Sequence, residues 1–226
     1  AKELVSSVVF LRPLASDFMN NKVIVTICRE FCSGGKEVGT KLAKKLGCEC
    51  YDKKLISLSA KESGFTESLF EDVDEKPSNS FLYSIAMSTP STTGLFFQNN
   101  DFLTNDKLFS IQSEVIRRIA STKSAVIVGR CSDYILRDEE NLVKVYLRAD
   151  KDFRIKRLLE TNKDVDPKHA ESLLHKTDKK RRNYYSYYTG REWDNTSNYD
   201  LLVNTSKIGI DNTVELILDY INNMFK

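Results

Sequence analysis

The chain has no apolar run near the roughly 18 residues that crossing a bilayer takes, so no membrane span is expected. Its early apolar stretch, Val8-Val9-Phe10-Leu11, is too short for the core of a signal peptide and follows an acid, Glu3. Its five cysteines, at 28, 32, 48, 50 and 131, include no CxxC pair, the spacing that would favour zinc. An odd count without a secretory signal fits a reducing compartment, so a cytoplasmic protein is expected and no resident metal site. Excess charge is missing too: the net of +2 gives no overall pull toward nucleic acid. At 226 residues with 41% hydrophobic and 29% charged residues, the composition is that of an ordinary globular α/β protein.

What is there centres on Val23 to Gly47. The β-branched run Val23-Ile24-Val25-Thr26-Ile27 predicts a buried strand. A polar turn with two glycines follows. A helix then carries Val38, Leu42, Ala43 and Leu46 on one face, with Lys41, Lys44 and Lys45 turned to water and Gly47 as its stop. Strand, glycine turn with lysine, helix: this order suits an anion site. Glycine lets backbone N–H groups approach a phosphate, and the helix N-terminus adds its own N–H groups and dipole. Gly35-Lys36 matches the phosphate-loop pattern GxxxxGK[ST], but Glu30 stands at the first glycine and Glu37 at the hydroxyl residue that would hold Mg²⁺. A plain strand-to-helix turn with a solvated lysine is the competing reading.

Further along, Cys48 to Tyr51 reads as a second strand, and Asp52 sits at its end, suited either to cap the helix Lys53 to Ser63 or to touch a ligand. Residues 57–116 hold no arginine, three lysines and nine acids. Their middle, 76–100, shows no helical period and reads as a mobile loop over an acceptor site or a plain surface loop. A helix is expected over about Asn105 to Ser121. Ser124 to Val128 predicts a central strand, with Arg130 just beyond it, where a guanidinium can hold a phosphate by two bonds. A short helix over Cys131 to Asp138 and a strand over Leu142 to Ala149 come next. Residues 151–191 reverse the charge, twelve Lys and Arg against six acids, and predict two helices able to close over phosphates. Arg154 and Arg157 share one helix face. Tyr184, Tyr185, Tyr187 and Tyr188 interleave with basic residues, which leaves open a nucleic-acid surface or a solvated hairpin. A strand over Tyr199 to Asn204 and a helix over Asp211 to Met224 close the chain.

The segments REFCSGGKEVG, VGRCSDYIL, DKKRRNYYSYYTGREW and NYDLLVNTS, in this order and spacing, resemble the cytidylate kinase-like family from about Val23 to the C-terminus. The resemblance implies an α/β, three-layer nucleoside-monophosphate-kinase-like fold: a five-stranded parallel sheet, a monophosphate-binding insert at about 57–116 and a helical lid at about 151–191, with residues 1–22 as an N-terminal extension. It implies transfer of the ATP γ-phosphoryl group, with Mg²⁺, to CMP or dCMP. It casts Ser33, Gly34, Gly35, Lys36 and Glu37 as the ATP-phosphate loop. Asp52, Arg130, Asp133 and Arg182 become acceptor contacts. Arg154, Arg157 and Arg181 become lid arginines that act with Lys36 in the transfer. The sequence departs from the family where Cys32 replaces a common glycine, Lys36 an arginine, and Cys131 the aspartate of the cytidylate kinases' GRD motif. A nucleotide-binding regulator without turnover, or a nucleic-acid binder, are the alternatives. No membrane partner is expected.

Overall fold

The computed structural model describes residues 22–52, 54–63 and 100–225. The expectations for residues 1–21 and for most of the 76–100 loop fall outside them. Five strands form one parallel sheet: β1 (Ile24–Arg29), β2 (Glu49–Tyr51), β3 (Ala125–Val128), β4 (Leu142–Arg148) and β5 (Leu201–Asn204), in the order β2-β3-β1-β4-β5. β1 is the centre. Ile24 lies opposite Ala125 on one side and Leu142 on the other.

The apolar runs of β1, β3 and β4 follow from this position, because each is covered on both faces. Across one face lie α1 (Gly35–Leu46) and α7 (Thr205–Met224). Val38, Leu42 and Ala43 of α1 meet Val214, Ile217, Leu218 and Ile221 of α7 over Val25, Val126, Val143 and Val145. Across the other lie α2 (Lys54–Ser63), α3 (Asn100–Thr122) and the C-terminal half of α6 (Pro167–Thr189). There Leu55, Val115, Ile116, Ile119, Tyr184 and Tyr185 enclose Ile24, Ile127 and Tyr146. The arrangement is the three-layer α/β fold expected.

Element ends differ from the sequence expectation for identifiable reasons. α7 starts at Thr205, not Asp211, because the Asn204 side chain accepts the Ser206 N–H and caps it; Gly209, at φ 79°, then kinks the helix. β5 starts at Leu201, since Tyr199 closes a 3₁₀ turn over Thr196–Asn198 and sends its hydroxyl to the Trp193 carbonyl. The short helix after β3, α4, is confined to Ser132–Ile135, and α5 spans Lys151–Thr161. Pro167 opens α6 at a position where its missing N–H costs nothing.

Candidate active site

The site is built at the C-terminal ends of the strands, where β1 stops and the chain turns into α1. Two residues of that turn adopt left-handed backbone, Cys32 at φ 62° and Gly34 at φ 91°. This alternation aims successive N–H groups to one side. Val38 N–H makes the first bond of α1, to the Gly34 carbonyl, and no side chain caps the helix start. The N–H groups of Gly35, Lys36 and Glu37 therefore face outward as helix-start donors. Glycine is favoured at 34 by its left-handed backbone and at 35 by the space it leaves for Arg29. A Cβ on Gly34 would lie 2.3 Å from Ile210 Cδ1, and one on Gly35 would lie 2.8 Å from Arg29 Cβ.

The turn is anchored from several directions. The Ser33 hydroxyl donates to the Glu30 carbonyl at 2.9 Å, and the Ser33 carbonyl accepts the Thr205 hydroxyl at 2.7 Å. Phe31 N–H donates to Asp178 Oδ1 at 2.7 Å, and the Phe31 carbonyl accepts Arg154 Nε at 2.7 Å. Arg154 also pairs with Asp178 Oδ2 and, at 3.2 Å, with Glu30 Oε2. That same Glu30 oxygen accepts Ala149 N–H at 3.0 Å. Phe31 and Cys32 pack against Leu158, Ala170 and Leu174 of α5 and α6, and burial pushes the Cys32 thiol up from its ordinary pKa.

Over the turn opens a cavity of about 560 Å³. Gly34, Gly35, Lys36, Glu37, Asp52, Arg157 and Arg181 all line it, so the structure gathers these expected residues in one place. Lys36 is exposed, and its backbone carbonyl accepts the Thr40 hydroxyl at 2.9 Å. Arg157 Nη2 donates to Glu37 Oε2 at 3.0 Å, and this bond holds the Glu37 carboxyl below its ordinary pKa. Arg181 donates to the Arg29 carbonyl at 3.2 Å, with its guanidinium over the Phe31 ring.

Arg130 and Asp133 stand beside the cavity, in a narrower pocket that shares Arg29 and Arg181 with it. Gly129, Arg130 and Cys131 all take positive φ, turning the chain sharply off β3 and burying Arg130. Arg130 Nη1 donates to the Asp52 carbonyl at 3.0 Å and lies 4.0 Å from its carboxylate. Asp133 is buried, accepts the Tyr185 hydroxyl at 2.6 Å, and is pushed above the usual carboxylate pKa by that burial.

Arg182 and Arg154 are placed elsewhere. Arg182 pairs with Asp194 at 3.2 Å and leans on Trp193. Arg154 is buried behind the turn rather than lining the cavity. Sequence reasoning gave no role to Arg29 and Thr205, although both lie within the segments that carry the family resemblance. Nor did it give a site role to Asp178, which holds Phe31 N–H and Arg154. Among the described residues no cluster of three potential metal ligands occurs, and no helix is long and apolar enough to cross a membrane.

The sequence pattern of the cytidylate kinase-like family matches residues 24–207, a span running from β1 to the start of α7. The chain belongs to the cytidylate kinase-like family. A cytidylate kinase from Staphylothermus marinus is 29% identical over 121 residues, 52% of this chain and 67% of that protein. One from Archaeoglobus fulgidus is 31% identical over 97 residues, 42% of this chain and 52% of that protein. The matched stretches thus span between half and two thirds of these curated relatives.

Among solved structures, an uncharacterized protein from Eubacterium ventriosum aligns with a TM-score of 0.65 at 28% identity, covering 89% of this chain and 99% of that one. A shikimate kinase from Bacteroides thetaiotaomicron aligns at 0.52 with 13% identity over the same shares, a likeness of fold. Membership in a kinase family and this fold connect the chain with phosphoryl transfer involving nucleotides in general.

Proposed function

We propose that the chain is an ATP-dependent phosphotransferase whose acceptor is a nucleoside monophosphate, CMP or dCMP. The observation that carries this reading is the convergence on one cavity of outward N–H groups at the start of α1, Lys36, Asp52, Arg157 and Arg181, with Arg130 at its side. Helix-start N–H groups and a neighbouring lysine suit the β- and γ-phosphates of ATP. Buried Arg130 suits the acceptor phosphate, because a guanidinium fork matches its oxygens. Asp52 and Asp133 suit polar edges of the acceptor. Arg181, shared by both pockets, suits the oxygen that passes between donor and acceptor. The insert at about 57–116 and the hairpin at about 151–191 belong to this reading as acceptor-side and lid elements.

In the reaction an oxygen of the acceptor phosphate forms a bond to the γ-phosphorus as the bond to the β–γ bridging oxygen breaks. ADP and a nucleoside diphosphate leave. The acceptor is already an anion, so this chain supplies orientation and charge neutralisation rather than a base. The carboxylates of Glu37 and Asp52 line the cavity and are oxygen donors of the kind Mg²⁺ takes, one or two alongside phosphate oxygens and water. They fit as its protein-side holders, and bound Mg²⁺ supplies neutralisation of the phosphate charge.

The test is a coupled assay of the purified chain with ATP and CMP, dCMP, UMP, AMP or shikimate. Turnover with CMP or dCMP is expected. Arg130→Met is expected to raise the acceptor KM and lower kcat with ATP affinity nearly intact. Lys36→Met is expected to lower kcat on the order of 10²-fold or more, the typical weight of one preorganised donor. ATP binding without turnover of any acceptor would instead favour a nucleotide-binding regulator.

A further inference from the structure

The turn departs from the usual phosphate-loop pattern at Glu30 and Glu37, and a helix α5 arginine meets each carboxylate. Arg154 pairs with Glu30 at 3.2 Å and Arg157 with Glu37 at 3.0 Å, one helical turn apart. The two pairs differ in kind. Arg157 and Glu37 both line the cavity, with side chains 27% and 42% exposed. Arg154 has a side chain only 10% exposed and spends its donors inward: Nε on the Phe31 carbonyl, Nη1 on Glu30, Nη2 on Asp178. Asp178 returns a bond to Phe31 N–H. Both backbone polar groups of Phe31 are thereby held by one buried ion network. A guanidinium committed in this way has little left to offer a phosphate, and removing one partner of a buried pair is costly.

We propose that Arg154 is a positioning residue and not a phosphate ligand: with Glu30 and Asp178 it clamps the turn at Phe31 to the hairpin of α5 and α6, and so sets the direction of the N–H groups that follow. This rests on the reading of the turn as a phosphate site. Glu30 replaces the flexibility of a first glycine with a tether that reaches both β4's end, through Ala149, and α5. The phosphate-facing role on α5 then falls to Arg157.

The test uses the full chain and two readouts. One is ATP affinity by calorimetry with Mg²⁺, for Arg154→Met, Asp178→Asn and the double variant. The other is the alkylation rate of Cys32, resolved from Cys48 by peptide mass spectrometry, without nucleotide. Each single change is expected to weaken ATP on the order of 10-fold, with the double no weaker than the worse single, as for residues acting as one unit. Arg154→Lys is expected not to rescue, because an ammonium lacks the fork. Both singles are expected to speed Cys32 alkylation, while Arg157→Met, which removes a positive charge that favours the Cys32 thiolate, weakens ATP without speeding it. Glu30→Gln keeps an acceptor for Ala149 N–H and is the gentle variant if Arg154→Met unfolds; it too is expected to speed Cys32 alkylation. Additive ATP losses with Cys32 rates at the wild-type value, in Arg154→Met or Glu30→Gln, would make Arg154 a direct ligand and overturn the proposal. A wild type that binds no ATP would overturn the phosphate-site reading alone, since the Cys32 rates still report the clamp.

Discussion

Arg157 Nη2 lies 3.0 Å from Glu37 Oε2, so a carboxylate of α1 occupies the arginine that faces the cavity. Glu37 stands where the usual phosphate loop has a hydroxyl. Its second partner is Lys41, at 3.3 Å. Any polyanion that enters has to share these cations with a fixed negative charge.

Glu37→Gln is therefore expected to tighten ATP in Mg²⁺-free buffer by roughly 5-fold, the weight of one unit charge at about 4 Å in water-like surroundings. Calorimetry at low salt checks it, and unchanged or weaker binding would count against it. The pH dependence has a definite sign. The folded-state pKa of Glu37 is depressed, first by its hydrogen bond from Arg157. The pair therefore persists above the ordinary carboxylate range and is lost as pH falls through the folded pKa. The advantage of Glu37→Gln is expected to vanish on acidification.

Gly34→Ala is expected to cost about 1–2 kcal/mol in urea unfolding, since φ 91° is a left-handed conformation and the new methyl meets Ile210. Gly47→Ala has a positive φ of 66° but open space around it, so it is expected to cost less. Equal losses would show that Ile210 yields freely and that only backbone strain matters.

Asp133→Asn is expected to raise Tm at neutral pH while lowering turnover. Burial raises the folded pKa of Asp133, against the opposing bond from Tyr185. A carboxyl with a raised folded pKa gives its full stability below the unfolded pKa and loses it as pH rises through the folded one. Asparagine keeps an oxygen for the Tyr185 hydroxyl without the buried charge. The gain in Tm is expected to shrink toward acid pH. A loss of Tm at neutral pH would mean that the anion is needed for folding, for example by Arg191, which favours it.

Thr205→Val removes the hydroxyl that donates to the Ser33 carbonyl from a fully buried position. It is expected to cost about 1–3 kcal/mol, the weight of a buried acceptor left unmet. Thr205→Ser is expected to recover most of this in the same unfolding titration. A Val variant as stable as the wild type would show that the hydroxyl bond to Ser33 adds nothing.

The frame was readable because its signals are local. β1 and α1 follow from a β-branched run and a 3.6-residue stripe, and both faces of β3 are apolar in sequence as in structure. Element ends were harder: Asn204 caps α7, yet the apolar stripe that marks the helix begins only at Val214. Within the site, the cavity-lining residues of the turn came from spacing, and Arg157 and Arg181 from family resemblance. The inward turn of Arg154 was hidden, because its spacing from Arg157 places both on one face and says nothing of which partner waits there. Arg182 was expected as an acceptor contact, but one step along α6 from Arg181 swings it to Asp194. Glu30 and Glu37 read as defects in a motif until arginines more than a hundred residues away met them.

The contacts that fix the turn have a consequence for how the chain acquires it. Phe31 waits for Asp178 across 147 residues of sequence, Glu30 for Ala149 across 119, and Ser33 for Thr205 across 172. Such distant closures are paid for in loop entropy before they return anything. A ribosome-bound chain that has emerged only as far as β2 carries the whole glycine motif, yet holds none of these three distant struts. The anion site therefore matures late, with β4, α6 and the start of α7, well after its own signature has been made.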